Sequence, residues 1–286
     1  MQTLVVGISV GAIYGLLALG IVLVYKTTRV LNFAQGELGT FAVYIAWALI
    51  TKSDWPWAAG ALAAIFAVTA IGLAFERFVI RPNVDAPRLT LVIATVGLGL
   101  ALYGLEVGIW GLSPQLLAPP VTGCGLDLAN VCVPPVRLFA MGTTLALGLG
   151  LLLLLKRTTF GLGVLAAAHD PTTVRLMGVR LSHISMFAWG SAAALAALSG
   201  LILLPAIGTF TPFALTLFFL RGLAAALLGG LTSLTGAFIG GIAIGVLEAG
   251  LQNAFPTASG IVEAGLFGVV LAVLLLRPRG ILGSTA

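Results

Sequence analysis

Six consecutive residues, Asn32-Phe33-Ala34-Gln35-Gly36-Glu37, place a carboxylate, two carboxamides and a glycine inside an otherwise apolar run, residues 30–50. A charged group at the bilayer centre costs from roughly 3 to more than 10 kcal/mol. Glu37 is therefore expected to face protein or water, as lining of a polar route or as a joint beside one. Gly36 marks a point where a helix breaks or a neighbour approaches closely. Arg221 and Glu248 lie comparably deep in later apolar runs. Arg221 is too central to snorkel to an interface. It is expected to pair with a carboxylate, Glu37 or Glu248, or with carbonyls at broken helix ends. That pairing is either an ion pair pinning a bundle or a polar group on a translocation path. Glu76, with Arg77, falls at a cytoplasmic helix end and is expected to be interfacial, and Glu106 and Glu263 fall toward outer ends, where water reaches.

None of these residues makes a catalytic set. The chain has no Gly-x-x-x-x-Gly-Lys-Ser/Thr phosphate loop and no His/Cys/Asp/Glu cluster at metal spacing. Its two histidines, His169 and His183, fall in one polar loop. The chain is read as no enzyme and as holding no cofactor or metal. If it transports actively, the energy comes from an ion gradient or from another subunit.

The elements that hold these residues are membrane spans. Of 286 residues, 60% are hydrophobic and 8% charged, with a mean hydropathy of +1.16, whereas a soluble domain carries about 25% charge. Apolar runs near the length of a spanning helix fall at residues 4–25, 30–51, 58–80, 89–112, 138–155, 184–205, 214–230, 236–253 and 260–276. The reading is an all-α polytopic membrane protein with about eight or nine transmembrane helices, some broken or re-entrant, in a single transmembrane domain over residues 1–286. The runs are too long, and too rich in Leu, Ala and Gly, for a barrel's ten-residue alternation. Residues 1–25 lack a basic n-region and a clear cleavage site, so they are expected to remain as the first span. The net charge of +5 is too small to argue for nucleic acid.

Placement of charge sets orientation. With the N-terminus outside, Lys26, Arg29, Arg77, Arg81, Arg88, Lys156, Arg157, Arg175, Arg180, Arg277 and Arg279 fall inside, eleven of fourteen basic residues. Positive charge accumulates in cytoplasmic loops, so the N-terminus is read as outside and the C-terminus as inside. Residues 113–137 then form an extracytoplasmic loop that carries both cysteines, Cys124 and Cys132. An oxidising compartment favours a bridge between them; the alternative is two free thiols. Residues 156–183 form the longest inside segment. Within it Asp170 caps, Pro171 opens and Gly178 stops a short helix over residues 171–177. Val174, Leu176 and Met177 form its apolar side and Arg175 points elsewhere. Such a helix either docks another protein or closes the loop onto the membrane surface.

Glycines are dense near the end. Gly236-x-x-x-Gly240 and Gly241-x-x-x-Gly245 are patterns for close helix packing. Residues 229–235, with two glycines and three hydroxyls, read as an unwound hairpin.

Several stretches together resemble the permease subunits of branched-chain amino-acid ABC importers, the LivH-like family. They are Gly11-Ala-Ile-Tyr-Gly-Leu-Leu-Ala-Leu-Gly20, the hexapeptide at residues 32–37, Glu76-Arg-Phe-Val-Ile-Arg-Pro82 and Ala94-Thr-Val-Gly-Leu-Gly99. The loop 161–180, the glycine-rich residues 225–241 and Arg277-Pro-Arg-Gly-Ile-Leu-Gly283 continue the match nearly end to end. The family commonly has His at Gln35 and Lys at Arg221, and Arg is not an equivalent point charge. The resemblance implies the membrane-spanning half of an importer in the bacterial inner membrane. Implied partners are a second related permease, two ATPase subunits that carry ATP and Mg, and an extracytoplasmic solute-binding protein. It implies contact with the ATPases through loop 161–180. The family also serves urea and short amides. An ion-coupled secondary transporter and a non-transporting membrane scaffold or receptor subunit stand as alternatives.

Overall fold

In lipid every backbone polar group must be satisfied within the protein, so the apolar runs become helices wherever a neighbouring element offers no other partner. The computed structural model describes residues 2–120, 126–128, 131–133, 135–169, 174, 178, 180–277 and 280–282. The helices are α1 (Gln2–Thr28), α2 (Gln35–Trp47), α3 (Trp57–Phe75), α4 (Arg88–Trp110), α5 (Pro135–Arg157), α6 (Thr159–His169), α7 (Leu181–Ile207), α8 (Ala214–Gly229), α9 (Leu234–Ala254) and α10 (Ser259–Leu276). Six helical stretches, among the described residues, are long and apolar enough to cross a membrane, and α8 and α10 are shorter apolar helices.

The helices differ in depth within the bundle. In α1, 78% of the most apolar window is buried, against 17% in α4 and 22% in α5. The centre is therefore α1 with α7 and α9, and α3, α4 and α5 lie outside. Outer residues such as Phe66, Leu89 and Leu275 expose 71%, 70% and 77% of their surface. Apolar patches on that scale are unstable in water and natural against acyl chains.

The centre is held by glycine. Gly7, Gly11 and Gly15, four residues apart on α1, lie against Val246, Ile242 and Phe238 of α9. One series rises as the other falls, so the two helices run antiparallel. Gly241 and Gly245 face Gly15 and Gly11 from the other side. Gly236 and Gly240 instead lie against Gly229 and Ala225 of α8. Both small-residue patterns in the sequence thus pack helices, on two faces of α9.

Residues 230–233 form the expected hairpin. Gly230 takes φ +100 to end α8, and the Ser233 hydroxyl accepts from the Gly236 amide at 3.1 Å to cap α9. Ile281 and Leu282 return to donate their amides to the Leu228 and Gly229 carbonyls at 2.8 and 3.3 Å. They satisfy carbonyls that a helix end otherwise leaves open.

Three expectations need correction. Residues 30–51 are not one helix: residues 30–34 are non-helical, α2 starts at Gln35, and its end loosens into a π turn, Ala48–Lys52. The reason is a set of side-chain partners described below. Glu76 is not interfacial but buried, 1% exposed, and paired with Arg81 at 2.8 Å. Residues 113–137 are not simply a loop: β1 (Gln115–Leu116) pairs with β4 (Thr209–Phe210), and β2 (Leu126–Leu128) pairs with β3 (Val131–Val133), both antiparallel. Cys132 lies in β3, and Cys124 lies outside the described residues, as do Asp170, Pro171, Arg175 and Met177.

Candidate functional site

The start of α2 is built by its own polar side chains. The Asn32 side-chain Oδ1 accepts from the Ala34 amide at 3.1 Å, a local turn two residues long. Its amide nitrogen donates to Gln35 Oε1 at 3.3 Å, and Gln35 Nε2 donates to the Ala192 carbonyl of α7 at 2.9 Å. Thr95 of α4 supplies the non-helical backbone, accepting from the Phe33 amide at 3.1 Å and donating to the Leu31 carbonyl at 3.3 Å. Gln35 sits against Gly20, eight residues before the end of α1. At 1.5 Å per residue that is about 12 Å along the axis. The α2 N-terminus, with its partial positive charge, is therefore sunk well inside the bundle. Asn32 and Gln35 act as structural joints here, 1% and 0% exposed, and neither lines a cavity among those described.

Glu37, in the first turn of α2, is 2% exposed. Thr216 of α8 donates to its Oε2 at 2.6 Å. Gly36 permits this approach, since a Cβ there would stand 2.6 Å from the Thr216 Cα. The Thr40 hydroxyl accepts the Leu215 amide at 3.1 Å and completes the seam between α2 and α8. Glu106 of α4 adjoins Glu37. It is fully buried rather than wet, facing Glu37 of α2 and the backbone at Phe213. A cavity of about 270 Å³ opens beside Glu37 and Thr216, walled by Phe33, Val96, Phe213 and Leu220. Phe213, which precedes α8, holds φ +72, a strained conformation for a non-glycine residue.

Thr216→Val keeps the side-chain shape and removes the hydroxyl that donates to the buried Glu37 Oε2. It is expected to cost about 1–3 kcal/mol, read as a lower thermal unfolding midpoint in nanodiscs. Thr216→Ser is expected to restore the wild-type value.

Arg221 lies on the other side of α8. Five residues separate it from Thr216, roughly 140° around the helix. The fold thus keeps Arg221 apart from Glu37. It pairs with Glu248 of α9 through Nε at 2.8 Å, and with Glu263 of α10 through a terminal nitrogen at 2.8 Å. The Tyr14 hydroxyl donates to Glu248 Oε2 at 2.8 Å, and the guanidinium lies 5.4 Å from the Phe218 ring centre. Cavities of about 210 and 290 Å³ flank this network, one beside Tyr14 and Glu248, the other beside Arg221 and Glu263. Sequence reasoning missed Tyr14, Thr95 and Thr216. A hydroxyl in an apolar run carries no signal until its partner is placed.

In the inside segment, Val174 is helical and 5% exposed, clustered with Leu155, Val164, Ala167 and Ile184. Gly178 takes φ +83, the backbone suited to a helix stop. Among the described residues no group of three or more His, Cys, Asp or Glu side chains is placed to hold a metal ion.

Comparison with known proteins bears on this arrangement. Residues 3–277 match the family described as "Branched-chain amino acid transport system / permease component". The chain is 30% identical over 299 residues to the high-affinity branched-chain amino acid transport system permease protein BraD of Pseudomonas aeruginosa, covering 99% of this chain and 95% of that one. It is 28% identical over 297 residues to the corresponding LivH of Escherichia coli K12, covering 99% and 95%. It is 30% identical over 279 residues to the probable branched-chain amino acid transport permease protein LivH of Methanocaldococcus jannaschii, covering 94% and 88%.

Proposed function

Because the chain belongs to the branched-chain amino acid transport system permease family, we propose that it is the membrane-spanning half of an ABC importer that moves branched-chain or related small apolar amino acids into the cytoplasm. The family match over residues 3–277 carries this reading. The protein is a multi-pass membrane permease, and its family holds no cofactor of its own. A second related permease, two ATPase subunits that bind ATP and Mg, and an extracytoplasmic solute-binding protein complete the assembly. The complex sits in the bacterial inner membrane, with the N-terminus outside. The test is reconstitution of the permease pair with its ATPases and binding protein in liposomes. ATP-dependent accumulation of leucine, isoleucine or valine is expected. Uptake by this chain alone under an ion gradient would instead establish the secondary-transporter alternative, and uptake of urea or short amides in place of amino acids would reassign the solute.

Coupling runs through the inside segment, where Asp170, Pro171, Val174, Arg175, Met177 and Gly178 meet the ATPases. Val174 ties that segment to the cluster holding Leu16, Leu19 and Leu23 of α1, so ATPase closure displaces the central helix. A solute is moved only if the two resulting states differ in affinity for it. Val174→Ala is expected to leave ATPase subunits bound to the purified complex while uptake per ATP hydrolysed falls several-fold. An unchanged ratio would exclude Val174 from the mechanical link.

A further inference from the structure

Two ammonium groups meet in one cavity that no carboxylate lines. Lys26, in the last turn of α1, and Lys156, in the last turn of α5, both border a cavity of about 190 Å³. Because α9 runs antiparallel to α1, its start returns to the end of α1. Thr232, Ser233 and Thr235 of the hairpin and first turn thus join the same lining. Neither lysine has an ion-pair or hydrogen-bond partner among the described residues. Lys26 is half-buried. Arg29 lies within electrostatic range of it and adds positive charge rather than cancelling it. A partly desolvated ammonium without a counter-ion is costly, and its complement is an anion.

We propose that this cavity binds the phosphate ester of an anionic phospholipid, with Lys26 and Lys156 on the phosphate and the hairpin hydroxyls on the remaining oxygens. Lysine binds phosphate as a point charge with three donors, and hydroxyls donate or accept as the headgroup requires. The apolar part of the site argues for a lipid over a soluble phosphate. Leu152, Leu165 and Leu282 line the rest of the cavity. Leu149, Leu153 and Lys156 are spaced four and three apart on α5, so they share one stripe of that helix. Leu149 and Leu153 are 54% and 56% exposed. An acyl chain leaving a phosphate at Lys156 runs along that stripe. Basic pockets between spans on the cytoplasmic side take anionic headgroups; here the choice of leaflet rests on the orientation with the N-terminus outside. The cavity shares no lining residue with those beside Glu37 and Arg221, and the proposal is independent of which solute is carried.

The experiment uses the purified permease complex in detergent, stripped of native lipid, and follows its thermal unfolding midpoint as dioctanoyl phosphatidylglycerol is added. A saturable rise is expected. Dioctanoyl phosphatidylcholine, which carries the phosphate but no net charge, is expected to give a much smaller one. Lys26→Gln and Lys156→Gln are each expected to raise the lipid concentration at half the rise about fivefold, and together about thirtyfold. If the Lys26→Gln protein fails to fold, Lys156→Gln, at an exposed helix end, decides the matter. The charge-matched control is Arg77→Gln with Arg88→Gln, both exposed and outside the cavity, and it is expected to match wild type. No rise with phosphatidylglycerol, or an equal rise with phosphatidylcholine, overturns the proposal. So does a lysine variant that responds like the arginine control. Glycerol 3-phosphate added without lipid separates the two sources of phosphate. No response supports the lipid; a lysine-dependent response of equal size assigns the cavity to a soluble phosphate ester and overturns the lipid.

Discussion

Valine at Gly11 is expected to abolish accumulation of folded protein in the membrane. A Cβ at this position would stand 2.8 Å from the Gly241 carbonyl oxygen, 2.8 Å from the Ile242 Cα and 2.9 Å from the Ile242 carbonyl oxygen. All three are backbone atoms of α9, so no side chain can rotate away. The helices must separate, and the separation spreads, because Gly7 and Gly15 bring the same two helices equally close on either side. Overpacking of a core costs about 1–3 kcal/mol, occasionally more. Here the upper end applies, because helix association in lipid rests on close packing without a hydrophobic force to restore it. The measurement is the monodisperse peak of a fluorescent fusion after detergent extraction. Gly104→Val on α4, where a Cβ meets nothing within 4 Å, is expected to behave as wild type. Equal yields for the two variants would mean that α1 and α9 are not held by backbone proximity.

The same contrast explains what the sequence made legible. Long apolar runs announce spans because lipid leaves the backbone few alternatives, and glycines four apart announce close packing because the period is that of the helix. A joint was legible in the polar hexapeptide, but its position just before Gln35 and what holds it were not. That position depends on Thr95 of α4, 62 residues from Phe33 and 64 from Leu31, to satisfy backbone that would otherwise stay helical. Glu106 was misplaced for a related reason. Counting from the end of α4 puts it near water, but its burial is decided by neighbours distant in sequence, Glu37 of α2 and the backbone at Phe213, which the count does not contain. For Arg221 the depth was readable and the partner was not. Pairing follows from which helices flank α8 and from the roughly 140° between Thr216 and Arg221. The inside helix expected over residues 171–177 lies outside the described residues except for Val174, which is helical, while Gly178 just beyond it takes a positive φ.

Arg221→Met is expected to cost about 3–5 kcal/mol, because it strands a buried carboxylate rather than merely deleting a bond. The Arg221 and Glu248 side chains are 15% and 7% exposed. With the guanidinium gone, Glu248 keeps only the Tyr14 hydroxyl at 2.8 Å and a long contact from Gln252 at 3.5 Å. Glu263 is different: its side chain is 53% exposed, so Glu263→Gln is expected to cost about 1 kcal/mol or less. Arg221→Lys restores the charge as a point rather than a fork, so it is expected to hold Glu248 and release Glu263, at a similar small cost. The decisive variant is the double replacement Arg221→Met with Glu248→Met. Removing both partners of a buried pair is often neutral or stabilising, so its unfolding midpoint is expected to recover above that of Arg221→Met alone. Uptake by that double variant then separates the two roles the sequence left open. Wild-type import would make the pair a pin between α8 and α9. A stable complex that hydrolyses ATP without importing solute would put Arg221 and Glu248 on the path itself.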